Sequence, residues 1–117
     1  MRSNELYLKD ILDSIKKIYN YIDDKNFNTF RNHEMMKDAV LRNLEIIGEA
    51  SNNISDSLKK KYQNILWSEI IGLRNIVVHD YFGVDLNIIW EIIKKDLPEF
   101  EKQIQEILKK EFNNTSD

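Results

Sequence analysis

Apolar residues recur at helical intervals along almost the whole of this chain, and few residues interrupt them. Leu8, Ile11, Leu12, Ile15, Ile18, Tyr19 and Ile22 follow at steps of three, one and four, which draws one apolar stripe on a helix from about Glu5 to Ile22. A second helix is expected from His33 to Ile54, with Met36, Ala39, Val40, Leu44, Ile47, Ala50 and Ile54 facing inward. A third, long helix is expected to begin near Trp67 and to carry Ile70, Ile71, Arg74, Val77 and Val78. Ile88, Ile89, Ile92 and Ile93 mark another, and Phe100, Ile104, Ile107 and Leu108 a last one. Three glycines and one proline in 117 residues leave too little turn material for an all-β fold. The expectation is an all-α protein, a four- to five-helix bundle, with residues 1–112 as one domain and 113–117 as a polar C-terminal tail.

The connections have their own chemistry. Asp23-Asp24-Lys25-Asn26 ends the first stripe, and Phe27 and Phe30 are expected to pack a connecting loop onto the core. Gly48 lies inside the second helix, where glycine costs roughly 1 kcal/mol against alanine. A close helix crossing would compensate for that. Ser55-Asp56-Ser57 reads as the cap of a short helix through Lys59-Lys60-Lys61-Tyr62, and Asp85 as the N-cap of the helix after a Phe82-Gly83-Val84 loop. Asp96-Leu97-Pro98-Glu99 resembles a capping box that restarts or bends the last helix.

Composition narrows the classes of function. With 42% hydrophobic and 32% charged residues the chain is of globular type. It has no cysteine, which removes disulfides, thiolate metal sites and a cysteine nucleophile, and suits a reducing cytosol. The N-terminal residues carry no apolar signal core and no stretch is long enough to span a membrane, so a cytoplasmic location is expected. A net charge of −3 argues against coating nucleic acid through bulk positive charge, though not against a local basic cleft. No histidine pair at i, i+4, no Asp-x-Asp cluster and no glycine-rich phosphate loop occurs, so neither a metal nor a cofactor is expected.

One stretch, Arg74-Asn75-Ile76-Val77-Val78-His79-Asp80-Tyr81, places a cation, an imidazole and a phenol within a few residues. At about 100° per residue, Arg74 and His79 would lie roughly 140° apart on an unbroken helix, while Tyr81 returns almost into line with Arg74. Convergence of Arg74 and His79 therefore needs a helix end near Val78, a second subunit, or both. An imidazole with a pKa of about 6.5 exchanges protons near neutrality. A guanidinium offers a permanently charged fork for phosphate oxygens. Such a pair suffices to cleave RNA, whose ribose 2′-OH is its own nucleophile. On spacing alone the plainer reading competes: an arginine in surface ion pairs and a histidine filling a helix end.

The surrounding residues resemble the HepT-like ribonuclease toxins, a branch of the HEPN superfamily. The HepT form of the superfamily signature is Arg, four residues, His, any residue, Tyr, and residues 74–81 match it in full. Arg42-Asn43-Leu44-Glu45-Ile46-Ile47-Gly48-Glu49-Ala50 and Trp67-Ser68-Glu69-Ile70-Ile71-Gly72-Leu73-Arg74-Asn75 look like the same family. The resemblance covers nearly the whole chain. It implies a bundle of the HEPN type that forms a homodimer and cuts RNA without metal in a cleft shared by two Arg-His motifs. It also implies a cognate nucleotidyltransferase antitoxin of the MntA kind, as in type VII toxin-antitoxin systems, which transfers AMP onto the motif tyrosine, here Tyr81. By the same resemblance Arg74 and His79 are the catalytic pair and Asn75 an orienting neighbour. The alternative for Tyr81 is a core-packing aromatic whose hydroxyl is hydrogen-bonded.

Glu45 and Glu49 share one face of the second helix with Arg42 a turn earlier, and read better as a polar strip that orients Arg74 or closes the dimer than as a metal site. His33 reads as a helix-start residue. Lys59-Lys60-Lys61 reads as a solvated face, with steering of RNA phosphates as the competing role. Trp67 and Trp90 are expected to anchor the core or a dimer rather than stack on bases. A second function class stays open: a non-catalytic helical module that docks on a nucleotidyltransferase and presents a nucleotide or polypeptide. A purely structural helical dimer is the third.

Overall fold

The computed structural model describes residues 3–75 and 85–112, whose regular elements are all helices, with no strand among them. The helices are α1 (Asn4–Ile22), α2 (Phe27–Asn32), α3 (Glu34–Asn53), α4 (Asp56–Lys61), α5 (Trp67–Ile71), α6 (Leu86–Glu91) and α7 (Leu97–Phe112), with a π-helical turn at Ile92–Asp96 joining the last two. The all-α expectation holds. None of the described helices is long and apolar enough to cross a membrane.

The first two long helices form as their sequence dictates. Ser3 caps α1, its hydroxyl accepting from the Leu6 N–H, and the stripe Leu8, Ile11, Ile15, Ile18 and Ile22 is buried. His33 starts α3, its Nδ1 accepting from the Met36 N–H at 3.1 Å. Met36, Val40, Leu44, Ile47 and Ala50 line the core side of α3 as expected, while Ala39 is only half-buried. Among the described elements, α1 and α3 pack on each other most extensively. They run antiparallel, because Asn4 at the start of α1 meets Ser55 just beyond the end of α3. There the Asn4 amide donates to the Ser55 hydroxyl and the Ser55 N–H donates back to Asn4 Oδ1, both at 3.0 Å. Ser55 also caps α4, as its sequence suggests.

Two expectations are corrected and a third is narrowed. Phe27 and Phe30 belong to a short helix, not a loop, because Asn26 caps it by accepting from the Thr29 N–H at 2.9 Å. Phe30 is fully buried there, with the half-buried Trp90 ring 5.1 Å away. The long helix expected from Trp67 stops after Ile71 at Gly72, before helical structure returns at 73–75. At Asp96, where the sequence left a restart or a bend open, the helix begun by Asp85 does not restart. It passes into α7 through a wider turn in which the Leu97 N–H reaches back five residues to the Ile92 carbonyl. Pro98 explains the need: it has no N–H and its ring crowds the preceding helical turn, and a π turn accommodates both faults without breaking the helix.

Gly48 settles how α3 meets α5. A Cβ at this position would stand 2.8 Å from the Arg74 backbone nitrogen and 3.1 Å from the carbonyl oxygens of both Ile70 and Ile71. The expected close crossing is thus backbone against backbone. Just after α4, the Tyr62 hydroxyl donates to Glu111 Oε2 at 2.6 Å and Lys61 pairs with the same carboxylate at 2.9 Å, tying α4 to the last turn of α7.

Two tests follow from this packing. Gly48→Ala gains helix propensity but drives a methyl into backbone that has no rotamer to yield, so a net loss of ~1–2 kcal/mol is expected in urea unfolding. An equal or higher midpoint would contradict the crossing. Burial, together with the Glu111 carboxylate, pushes the Tyr62 phenol up to about 12 from 10.0. Burial likewise raises Tyr19 to about 12, with Glu101 adding to it. A raised folded-state pKa stabilises the fold fully below the ordinary tyrosine value and ceases to do so as pH climbs through the raised one. Stability should therefore decline between pH ~10 and ~12, and Tyr62→Phe should flatten part of that decline in pH-dependent melts, leaving the share due to Tyr19.

Candidate active site

Arg74 occupies a position that several apolar anchors define. Trp67 is buried at the start of α5, its indole N–H donating to the Tyr62 carbonyl at 3.1 Å and its ring meeting Phe100 edge-on at 6.0 Å. Ile70 and Leu73 are buried on the same side of the chain. Between them Gly72 closes α5, its N–H donating to Ser68, and accepts from the Asn75 N–H at 3.0 Å. These bonds carry the backbone through a tight turn that ends against Gly48. Arg74 is therefore fixed at its backbone before its side chain makes any contact.

The guanidinium then lies over the C-terminal half of α3. Its Nη1 donates to Glu49 Oε2 at 3.3 Å. About a third of the Arg74 side chain is exposed (34%) and more than half of Glu49 (58%). An ion pair this open to solvent contributes about 0–1 kcal/mol at most, so Glu49 orients the arginine more than it stabilises the fold. Arg74 Nε is buried and has no hydrogen-bond partner among the described residues. A shielded, unanswered donor beside a half-exposed guanidinium suits a group that receives an anion.

Of the expected polar strip, the structure brings only Glu49 to Arg74. Arg42 pairs with Glu45 instead, Nη1 to Oε1 at 3.0 Å, one turn further up α3. The Arg42–Glu45 pair and Glu49 border a groove of about 350 Å³ between α1 and α3, whose walls also include Tyr7 and Asp10. Asn75 is exposed. His79 and Tyr81, together with the helix end expected near Val78 and the loop at Phe82-Gly83-Val84, lie outside the described residues, as does the tail at 113–117.

The sequence did not single out Lys59 from its two neighbours, and the structure does. Its ammonium donates to the Asn52 carbonyl at 3.3 Å, near the C-terminal end of α3. Burial holds its pKa below the usual lysine value and nearby Arg74 adds to that, against the opposing pull of Asp56. Lys61, by contrast, is engaged with Glu111, and Lys60 faces solvent. Nothing in a run of three lysines indicates which one folds back towards the arginine, because that depends on where α4 sits relative to the end of α3. Among the described residues no group of three or more histidines and carboxylates is gathered in a way that could hold a metal ion. The other single residues behave as read: His33 is a helix start, and Trp67 and Trp90 are packed against Phe100 and Phe30.

Comparison with known proteins gives this geometry a family. The family model described as "Ribonuclease HepT-like" matches residues 11–107. The chain is 41% identical over 104 residues to "Putative RNase MJ1380" of Methanocaldococcus jannaschii, covering 89% of this chain and 95% of that protein. It is 40% identical over 111 residues to "Putative RNase TTE0752" of Caldanaerobacter subterraneus subsp. tengcongensis, covering 95% and 99%. It is 36% identical over 108 residues to "Probable ribonuclease HepT" of Thermococcus cleftensis, covering 92% and 98%. No solved structure matches it. With the family match running from α1 into α7, the chain belongs to the HepT-like ribonuclease family.

Proposed function

We propose that this protein is a metal-independent endoribonuclease toxin, active as a homodimer in the cytoplasm and neutralised by a cognate nucleotidyltransferase antitoxin of the MntA kind. The observation that carries the reading is the placement of Arg74. It is held at its backbone by Gly48, turned by Glu49 and left with a buried donor that no described residue answers, within a family described as "Ribonuclease HepT-like".

In this reading His79 accepts the proton of the ribose 2′-OH, and the oxygen attacks the adjacent phosphorus as the bond to the leaving 5′-oxygen breaks. The imidazolium, or its counterpart in the second subunit, returns a proton to that oxygen. Arg74 stabilises the charge that builds on the non-bridging oxygens, and Asn75 hydrogen-bonds beside it. Glu49 is a positioning residue: its bond to one Nη leaves the other donors of the fork for phosphate. The Arg42–Glu45 pair takes the remaining part of the strip's expected role, at the contact between subunits. The partner enzyme would attack the α-phosphorus of ATP with the Tyr81 hydroxyl, releasing pyrophosphate and the phenolic proton. The tyrosine then carries a bulky anion that competes with RNA for Arg74.

Purified protein should cut single-stranded RNA in excess chelator. His79→Ala should lower kcat by ~10²–10⁴-fold and Arg74→Ala by ~10²–10³-fold. Arg74→Lys should recover little of the loss, because a point charge cannot replace the fork. Undiminished cleavage by His79→Ala, or activity lost to chelator and restored by a metal, would overturn the assignment. Incubation with the nucleotidyltransferase and ATP should add AMP to the peptide carrying Tyr81, with loss of cleavage. Tyr81→Phe should escape both. An AMP found on another residue would refute the regulatory half alone.

A further inference from the structure

The site described so far has one cation and one carboxylate, Arg74 and Glu49, which together leave little net attraction for a polyanion. Lys59 changes that balance. Glu49 and Asn52 lie three residues apart on α3, on one face and within one turn of about 5.4 Å. Arg74 is bonded to the first and Lys59 to the second. Two cations carried by different elements, α4 and the segment after α5, thus converge on the same stretch of α3. That separation is comparable to one step along a single-stranded backbone. Lys59 spends one of its three donors on Asn52, and its half-buried stem leaves the head little freedom to turn elsewhere.

Lys59 also stands on the wall of a cleft of about 450 Å³, within the range of ~300–1,000 Å³ typical of small-ligand sites. Lys60, Gln63, Leu66, Trp67 and Ser68 line it too. Leu66, a large apolar side chain, is 68% exposed. Apolar surface beside amide and hydroxyl groups suits the face and edge of a base. Asp56 and Glu69 on the same walls disfavour an occupant with several phosphates, such as a free nucleoside triphosphate.

We propose that Lys59 is a second phosphate-binding residue, which holds the phosphodiester next to the one cleaved, and that the Leu66–Trp67 cleft seats the base attached to it. The substrate class this selects is single-stranded RNA, since a base must be free of its partner to enter. The inference rests on the ribonuclease reading above and adds to it a binding residue and a flanking-nucleotide subsite.

A labelled single-stranded oligoribonucleotide tests it, with binding measured on His79→Ala protein and cleavage on otherwise wild-type protein. Lys59→Gln should weaken binding about tenfold and lower the slope of log Kd against log salt by ~0.7. KM should rise while kcat stays within ~2-fold, as for a contact made equally in ground and transition states. Lys59→Arg should restore both. Leu66→Glu, at an exposed position that the fold tolerates, should raise KM without altering the salt slope in the manner of a lost phosphate contact. Lys61→Gln should change neither quantity. Equal effects of Lys59→Gln and Lys61→Gln would overturn the proposal in favour of diffuse charge. So would a fall in kcat at unchanged KM, or wild-type affinity in Lys59→Gln. Should the unaltered protein cleave no RNA at all, the ribonuclease reading fails first. That outcome is separate from wild-type cleavage that is indifferent to Lys59.

Discussion

The missing side chain of Gly48 is the constraint on which the rest of the site depends. Two helical backbones meet only where neither carries a Cβ into the other, and here the contact involves the backbone of Ile70, Ile71 and Arg74 itself. An arginine is long and flexible, and its head samples many positions unless its root is fixed. Direct backbone contact fixes the root, and one bond to Glu49 then suffices to aim the guanidinium. The helical penalty of a mid-helix glycine is what this placement costs.

Charge is arranged locally against the average. The chain as a whole is acidic, yet Arg74 and Lys59 are drawn to adjacent points of α3, one by a carboxylate and one by a carbonyl near the helix end. Cations at a helix C-terminus are favoured by the exposed carbonyls there. That gives the lysine a reason to stay beside a like charge, whose repulsion shows in its lowered pKa along with the larger effect of burial. A family of ribonucleases needs phosphate affinity at one place only, and an acidic remainder limits unspecific adherence to nucleic acid.

The last helices serve as the frame. The π turn at Ile92–Asp96 lets a helix continue past Pro98, so that Leu97, Phe100 and Ile104 reach the core in a single run. Phe100 backs Trp67, Trp67 starts α5, and α5 delivers Arg74. The Tyr62 hydroxyl clamps the last turn of α7 through Glu111, which also sets where α4, and hence Lys59, comes to rest.

Helix periodicity and caps were legible in the amino-acid order because each rests on neighbours within a turn or two, and the backbone crossing because a mid-helix glycine calls for one. Ser55, Asp85 and His33 act as caps where their side-chain chemistry places them, and Gly48 marks a crossing that its own energetic cost advertises. The break at Gly72 was read the other way, and at Asp96 a restart and a bend were both left open. Both outcomes depend on tertiary demands, the first on delivering Arg74 to α3 and the second on burying Leu97 and Phe100 together. The motif at 74–81 named the arginine. Only the fold decided that Glu49 and not Glu45 would meet it, and that Lys59 and not Lys60 or Lys61 would join it. Residues a turn apart on one helix differ little in sequence, and which of them faces a partner is set by how a second element packs across it.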